Sequence, residues 1–195
     1  MKDKPPGAGG SSFQLVDFEK VVAGLDLQKG LTLLDMACGE GQYDIGFSKI
    51  IGDEGLIYAV DLWEDNINRL FETLSTTGIR NVEAFVADVS HPMPIGNDSI
   101  DVCLMATVLH DLVQANTADG AIKEASRVLK TNGLFAVIEF YKIDGPPGPP
   151  IHIRLSPQDV ENIVEPFGFN KQAVKEVGAF NYLMVFSLKD IRQQF

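Results

Sequence analysis

The run Leu33-Leu34-Asp35-Met36-Ala37-Cys38-Gly39-Glu40-Gly41-Gln42 restricts this chain to few folds. An apolar stretch reaches an acid and then enters a tight turn that carries glycine. A strand can deliver the chain to such a turn, and a helix can leave it. Gly39 and Gly41 have no Cβ, so the backbone can bend sharply and a ligand can approach it closely. This is the entry to a nucleotide-type cofactor site at the C-terminal edge of a parallel sheet.

Spacing separates two kinds of cofactor. A dinucleotide fingerprint needs G-x-G-x-x-G/A, with its third small residue inside the helix. Placing Ala37 and Gly39 on the first two positions puts Gln42 on the third, where a long side chain holds helix and strand apart. The pattern is instead D-x-A-x-G-x-G. It resembles motif I of the Rossmann-like S-adenosylmethionine (SAM) methyltransferases, D/E-x-G-x-G-x-G, with Ala37 in place of the first glycine. Alanine there requires a negative φ or accepts strain.

Further segments extend the resemblance. Gly55 to Asp61 reads as a buried strand ending in an acid, whose carboxylate can accept hydrogen bonds from both ribose hydroxyls. Asn81 to Asp88 is another strand ending in an acid, and the resemblance implies that Asp88 receives the adenine amino group. Asp98 to Ala106 matches the family's fourth strand in its D-x-V style. Arg127-Val128-Leu129-Lys130-Thr131-Asn132-Gly133 is similar to its R-V-L-K-P-G-G turn, with Thr131 and Asn132 departing. The likeness is strongest to the small stand-alone methyltransferases related to ubiquinone/menaquinone C-methyltransferases and arsenite methyltransferases. It implies a methionine site around Asp35, Ala37, Cys38, Gly39 and Gly41, a ribose site at Asp61 and Leu62, and an adenine site at Asp88 and Val89. Ala106, at the end of the fourth strand, completes the expected cofactor set.

Periodicity gives strand 31–36, helix 42–51, strand 56–60, helix 64–76, strand 82–87, strand 100–106, helix 117–130 and strand 133–140. Ser156 as N-cap and Pro157 at the first helical position then start another helix. Segments 171–177 and 180–188, split by Gly178, read as a hairpin. Together these predict an α/β fold: a doubly wound, mostly parallel seven-stranded sheet with an antiparallel terminal hairpin. Residues 1–12 are rich in Pro, Gly and Ser and predict a flexible tail. Residues 13–195 form one domain, opening with a helix over 13–25 laid over the cleft.

The formal charge of −11 repels phosphate backbones, which argues against nucleic acid as substrate. No apolar run approaches the ~18 residues of a membrane span, and no signal-peptide core is visible. Cys38 and Cys103 suggest no disulfide framework, which fits a reducing cytoplasm. Two cysteines also fall short of the set that arsenite methyltransferases use to hold arsenic. The three histidines are far apart and none has a second ligand at metal spacing, so no metal is expected.

Methyl transfer from SAM needs an acceptor held in line with the S–CH₃ bond, and often a base. His110, in Ala106-Thr107-Val108-Leu109-His110-Asp111-Leu112, follows strand four at the crevice mouth, where relatives often carry a histidine that lines the site. It is a candidate base, and equally a packing residue. Tyr141 follows strand five toward the same crevice and is the second catalytic candidate. Lys142 binds an acidic substrate or is solvated. His152 and Arg154 stand in the Pro-rich loop 145–154, a stiff wall or a surface crossing. His91 is read as exposed, Asp44 as an acid complementing a helix dipole, Tyr43 as a cover over the methionine part, and Trp63 as an adenine contact or core filler. The reading is a SAM-dependent methyltransferase acting on a small molecule. A non-catalytic SAM-binding regulatory module is the alternative, and an NAD-linked oxidoreductase is disfavoured by Gln42 and the terminal hairpin.

Overall fold

The computed structural model describes residues 11–189. Seven strands form one sheet: β1 Thr32–Met36, β2 Leu56–Asp61, β3 Val82–Val86, β4 Ile100–Ala106, β5 Leu129–Phe140, β6 Phe169–Glu176 and β7 Asn181–Leu188. Their spatial order is β3-β2-β1-β4-β5-β7-β6. β1 to β5 run parallel, and β7 is antiparallel to both β5 and β6. The central strands are continuous apolar runs because both of their faces are covered.

One face packs Leu33, Ile57, Leu104 and Ile138 against α1 (Phe18–Leu25), α2 (Gln42–Ile51) and α3 (Glu64–Thr77). The other packs Leu34, Met36, Val60, Met105 and Val137 against α4 (Leu109–Gln114), α5 (Ala118–Val128) and α6 (Pro157–Val164). Burying each such side chain contributes roughly 1.5–3 kcal/mol. The chain builds outward from β1 to β3, then crosses to β4 on the other side of β1. The C-terminal ends of β1 and β4 therefore border the topological switch point, where open α/β sheets bind ligands.

Several local expectations change. The helix over 13–25 is split: Phe13–Leu15 is a 3₁₀ turn, Val16 is extended, and α1 starts behind Asp17, whose carboxylate accepts from the Lys20 amide. The break lets the Asp17 amide donate to Val177 at 2.6 Å. Gly178 is required there because a Cβ on it would overlap the Leu15 carbonyl oxygen. The flexible tail lies outside the described residues as far as residue 10. Ser12, within its expected bounds, is 3% exposed, and its hydroxyl lies 3.1 Å from that of Tyr43.

At the other end, α5 stops at Val128 and β5 begins four residues earlier than periodicity predicts. Ile100 pairs with Leu129 but Val102 pairs with Leu134, so the expected turn is a bulge inside β5, with Asn132 at φ 63°. The Lys130 ammonium, 2.8 Å from both Asp101 oxygens, holds that segment to β4. α4 also has no counterpart in the sequence reading. α6 starts as expected, with a full capping box between Ser156 and Asp159. Among the described residues, no helix is long and apolar enough to cross a membrane.

Candidate active site at the switch point

Ala37 has φ 66° and Thr107 has φ 53°, so the two adjacent strands β1 and β4 are each followed directly by a left-handed non-glycine residue. The strain expected at Ala37 is real, and such residues cost of order 1–3 kcal/mol each. Fixed backbone bonds hold them: Cys38 N–H donates to Val60 at 2.9 Å, and Thr107 N–H to Ile138 at 2.7 Å. Gly39 and Gly41 also have positive φ, for different ends. A Cβ on Gly41 would overlap Leu70 of α3, so this glycine lets helix pack on turn. A Cβ on Gly39 would meet nothing within 4 Å, which makes its surroundings an open cradle.

The acids near the C-terminal ends of β1 and β2 behave differently. Asp61 accepts from Gly39 N–H at 2.9 Å, Trp63 N–H at 2.8 Å and the Asn66 amide at 3.3 Å. It ties motif I to the next strand and is itself tied. Asp35 is 2% exposed, and neither of its carboxylate oxygens has a partner. Burial, and then the charge of Asp61, push its pKa up to about 8. An unpaired buried carboxyl beside an open cradle fits a cationic ligand group.

Across the switch point, His110 lies in the first turn of α4 and is 4% exposed. Its Nδ1 lies 3.0 and 2.9 Å from the two carboxylate oxygens of Glu139, which also accepts from the His110 backbone N–H at 3.0 Å. Glu139 is 0% exposed. Burial alone would lower the His110 pKa, but the hydrogen bond and charge of Glu139, with Asp111, carry it upward. Nε2 lies 3.6 Å from an Asp111 oxygen. Glu139 is absent from the sequence reading. The signal that could have found it is the one used for β1, β2 and β3: an acid at the end of an apolar run, here Ala136-Val137-Ile138-Glu139.

With this geometry in place, the comparisons with known proteins discriminate. The model of the ubiE/COQ5 methyltransferase family matches residues 15–148. The chain belongs to that family. The "Ubiquinone/menaquinone biosynthesis C-methyltransferase UbiE" of Escherichia coli is 28% identical over 116 residues, 60% of this chain and 45% of that protein. The chain thus spans under half the length of the curated relatives it matches. A SAM-dependent methyltransferase from Aquifex aeolicus superposes with a TM-score of 0.83 at 29% identity, covering 91% of this chain and 92% of that one. The [4+2]-cyclase SpnF shares the fold at a TM-score of 0.75 and 16% identity, over 88% of this chain and 80% of that one. A cyclase on this architecture means that the fold alone does not dictate the reaction. Membership of a ubiE/COQ5-type methyltransferase family makes SAM the cofactor and removes the NAD-linked reading, and it offers no support for a non-catalytic module. The orphaned Asp35 and the open cradle at Gly39 fit that cofactor.

The remaining candidates of this ubiE/COQ5 family member sort by burial. Cys38 and Val89 are 8% and 5% exposed and belong to the two cores, so only their backbones can face a ligand. Burial pushes the Cys38 thiol up, aided by Asp44, Asp35 and Asp61. Ala106 is half-buried and Leu62 is exposed. The Asp88 carboxylate accepts from the amide and hydroxyl of Ser90, while the His91 ring lies 3.3 Å away. Burial would raise its pKa, but these partners hold it below the usual range. Tyr141 packs its ring on Tyr182, with centroids 5.2 Å apart. Burial and Glu176 raise its pKa.

Tyr43 is 4% exposed and held by Ser12 and the edge of Phe13. Trp63 lies within 6.0 Å of the Arg69 guanidinium. Lys142 pairs with Asp159 at 2.7 Å and His152 is exposed. Arg154 is buried, and its guanidinium donates to the carbonyls of Pro149, Tyr141, Gly145 and Pro147. It pins the Pro-rich loop from within. A separate surface cavity between Ser48, Lys49, Asp53 and Arg80 opens at the N-terminal edge of β2 and β3, away from every residue of the switch point.

Proposed function

We propose that this chain transfers the methyl group of SAM to a small-molecule acceptor, with His110 as the base and Glu139 as its positioning residue. The observation that carries this reading is the buried His110–Glu139 pair, set at the ends of β4 and β5 beside the acid-lined cradle of β1 and β2. SAM supplies a methyl carbon activated by a positively charged sulfur, and a neutral leaving group. Asp61 accepts from the ribose hydroxyls, Asp88 and the Val89 backbone receive the adenine, and Asp35 faces the methionine end with Ala37, Cys38, Gly39 and Gly41. Leu62 and Ala106 supply apolar contact.

Glu139 accepts the Nδ1–H of His110, which leaves the Nε2 lone pair free to take a proton from the acceptor. Asp111, 3.6 Å from Nε2 and about a third exposed, is the exit for that proton. Tyr141 and the loop pinned by Arg154 wall the acceptor site. The charge of −11 argues against nucleic acid as acceptor. Two free thiols, Cys38 and Cys103, suit a cytoplasmic location.

Calorimetry is expected to show SAM and S-adenosylhomocysteine binding with roughly micromolar affinity, about 8 kcal/mol, and no binding of NAD. Labelled SAM incubated with small-metabolite extracts should then pass its label to an acceptor. Cofactor binding with no label transferred from any extract would favour the non-catalytic module. NAD binding without SAM binding would end the reading.

Asp61→Ala should weaken SAM by about 1.5–3 kcal/mol, since it removes charged acceptors from two hydroxyls. It also strips the Gly39 and Trp63 amides of their acceptor. The melting temperature of the unliganded protein should therefore fall while the fold persists by circular dichroism. Unchanged affinity in the folded variant would place the ribose elsewhere.

A further inference from the structure

The connection from β3 to β4, residues 87–99, contains neither helix nor strand, yet Val89, Met93 and Ile95 are each 5% exposed. They share one core with Ala121, Ile122 and Ala125 of α5. A buried segment without a backbone ladder of its own needs outside partners for its amides and carbonyls, and α5 supplies them. Glu124 accepts the Met93 N–H at 2.6 Å. Arg127 donates to the Ile95 carbonyl at 2.8 Å, to the Asn97 side-chain oxygen at 2.6 Å and to the Met93 carbonyl at 3.3 Å, while its Nε donates to Glu124 at 2.8 Å. At the far end, the Asp98 and Ser99 N–H groups donate to the Arg127 and Val128 carbonyls.

The near end is set by contact. A Cβ on Gly120 would lie 2.4 Å from the Ser90 carbonyl oxygen, so α5 and Ser90 meet backbone to backbone. Gly120 is helical, where alanine is the better former, and only this close approach calls for glycine. Ser90 in turn grips Asp88: its amide and hydroxyl donate to the same oxygen, Oδ1, at 2.9 and 2.7 Å. That leaves Oδ2, 3.3 Å from the His91 ring on a side chain 40% exposed, as the oxygen open to an amino group.

We infer that α5 positions the turn that reads the cofactor's base. Gly120 acts through Ser90, and Glu124 and Arg127 act through residues 93–97, to hold Asp88 and the Val89 backbone at the spacing that selects a purine with an exocyclic amino group. This rests on the proposed assignment of Asp88 and Val89 to the adenine. None of the three touches the base, so they are positioning residues. A 6-oxo purine presents an oxygen where Asp88 expects a donor, and two acceptors then face each other. A site rejects such an analogue steeply only if its own polar group cannot retreat, and the clamp from α5 sets that freedom.

Calorimetry on the full chain with S-adenosylhomocysteine and S-inosylhomocysteine measures the selectivity. The native protein should prefer the adenosyl compound by at least about tenfold. In Gly120→Ala the added methyl displaces Ser90, and the ratio should fall about threefold or more through weaker binding of the adenosyl compound. Arg127→Lys keeps the charge but loses the fork that reaches Glu124, Met93, Ile95 and Asn97 together, and it should lower the ratio in the same way. Two variants at opposite ends of the clamp keep the test open if one fails to fold. A role in stability alone would lower the melting temperature of both and leave the ratio unmoved. An unchanged ratio in either folded variant therefore overturns the inference and leaves the methyl-donor reading intact. Equal affinity of the native protein for both compounds overturns the assignment of Asp88 to the base, and the positioning role with it. Failure of S-adenosylhomocysteine to bind at all overturns the methyl-donor reading itself.

Discussion

Arg154→Met should lower the unfolding free energy by about 3–5 kcal/mol, the range of a broken buried polar network. The guanidinium is 2% exposed and donates through Nε to Pro149 at 2.7 Å, through one terminal nitrogen to Tyr141 at 3.1 Å, and through the other to Gly145 and Pro147 at 2.6 and 2.8 Å. Its carbon centre also lies 5.5 Å from the Phe140 ring centroid. Methionine keeps the apolar stem and removes every donor. Four carbonyls then lose this donor, but the loss stays below the sum of four bonds because that of Tyr141 keeps the Ile143 N–H at 2.7 Å and the loop can swing toward water. Lysine should not rescue it, since a compact ammonium cannot spread its donors over four carbonyls as the planar fork does. Urea unfolding gives the stability, and hydrogen exchange over 141–154 gives its location. A loss under about 1 kcal/mol with unchanged exchange would show that the prolines alone stiffen the loop.

His110→Ala should cut turnover on the acceptor returned by the labelling screen by about 10²-fold or more, with SAM affinity nearly intact. If His110 only packs, cofactor affinity and melting temperature should fall together, with turnover following in proportion. Glu139→Gln separates orientation from bulk. The base works only as neutral imidazole, so turnover of the native protein should fall as pH drops through the His110 pKa. Burial lowers that pKa, but Glu139 outweighs it and sets it above the ordinary 6.5. Removing the Glu139 charge should therefore move the acid limb of the rate profile toward lower pH while reducing the maximum rate. The stability linkage has the opposite sign: the folded pKa exceeds the unfolded one, so the pair's stabilisation is fully present below pH 6.5 and is lost as pH rises through the folded pKa. A folded Glu139→Gln variant with an unmoved acid limb would end the positioning role. A His110→Ala variant with native turnover would end the base role and leave family membership standing.

The acids proposed for the cofactor side are readable because each closes an apolar run ahead of a turn, a local signal. Asp61 ends β2, Asp35 stands one residue before the end of β1, and Asp88 stands two residues beyond the end of β3. The same signal stands at Glu139, within the expected strand 133–140, but what gives that acid its role is a partner 29 residues away. Asp44 was readable only as a first-turn acid. Whether such an acid meets water or core depends on what lies over the helix, and here it is shut in by neighbours that helix periodicity does not describe. Arg154 is the same case in reverse: it reads as part of a stiff wall or a surface crossing, until the loop curls four carbonyls around it.

By itself, the sequence determined the strand–helix alternation, the parallel sheet closed by an antiparallel hairpin around Gly178, and the glycine-bearing turn after β1. These follow from period and spacing within one element or one turn, where the interacting residues are neighbours along the chain. Only the tertiary structure decided that Ala37 would hold a left-handed conformation, that His110 would be gripped by Glu139, that Asp35 and Asp44 would both be left without partners, and that β5 would begin at Leu129 across a bulge. Each of those depends on burial or on a partner brought close by the sheet order β3-β2-β1-β4-β5-β7-β6. Desolvation and pairing are properties of the packed neighbourhood, and local periodicity carries no record of them.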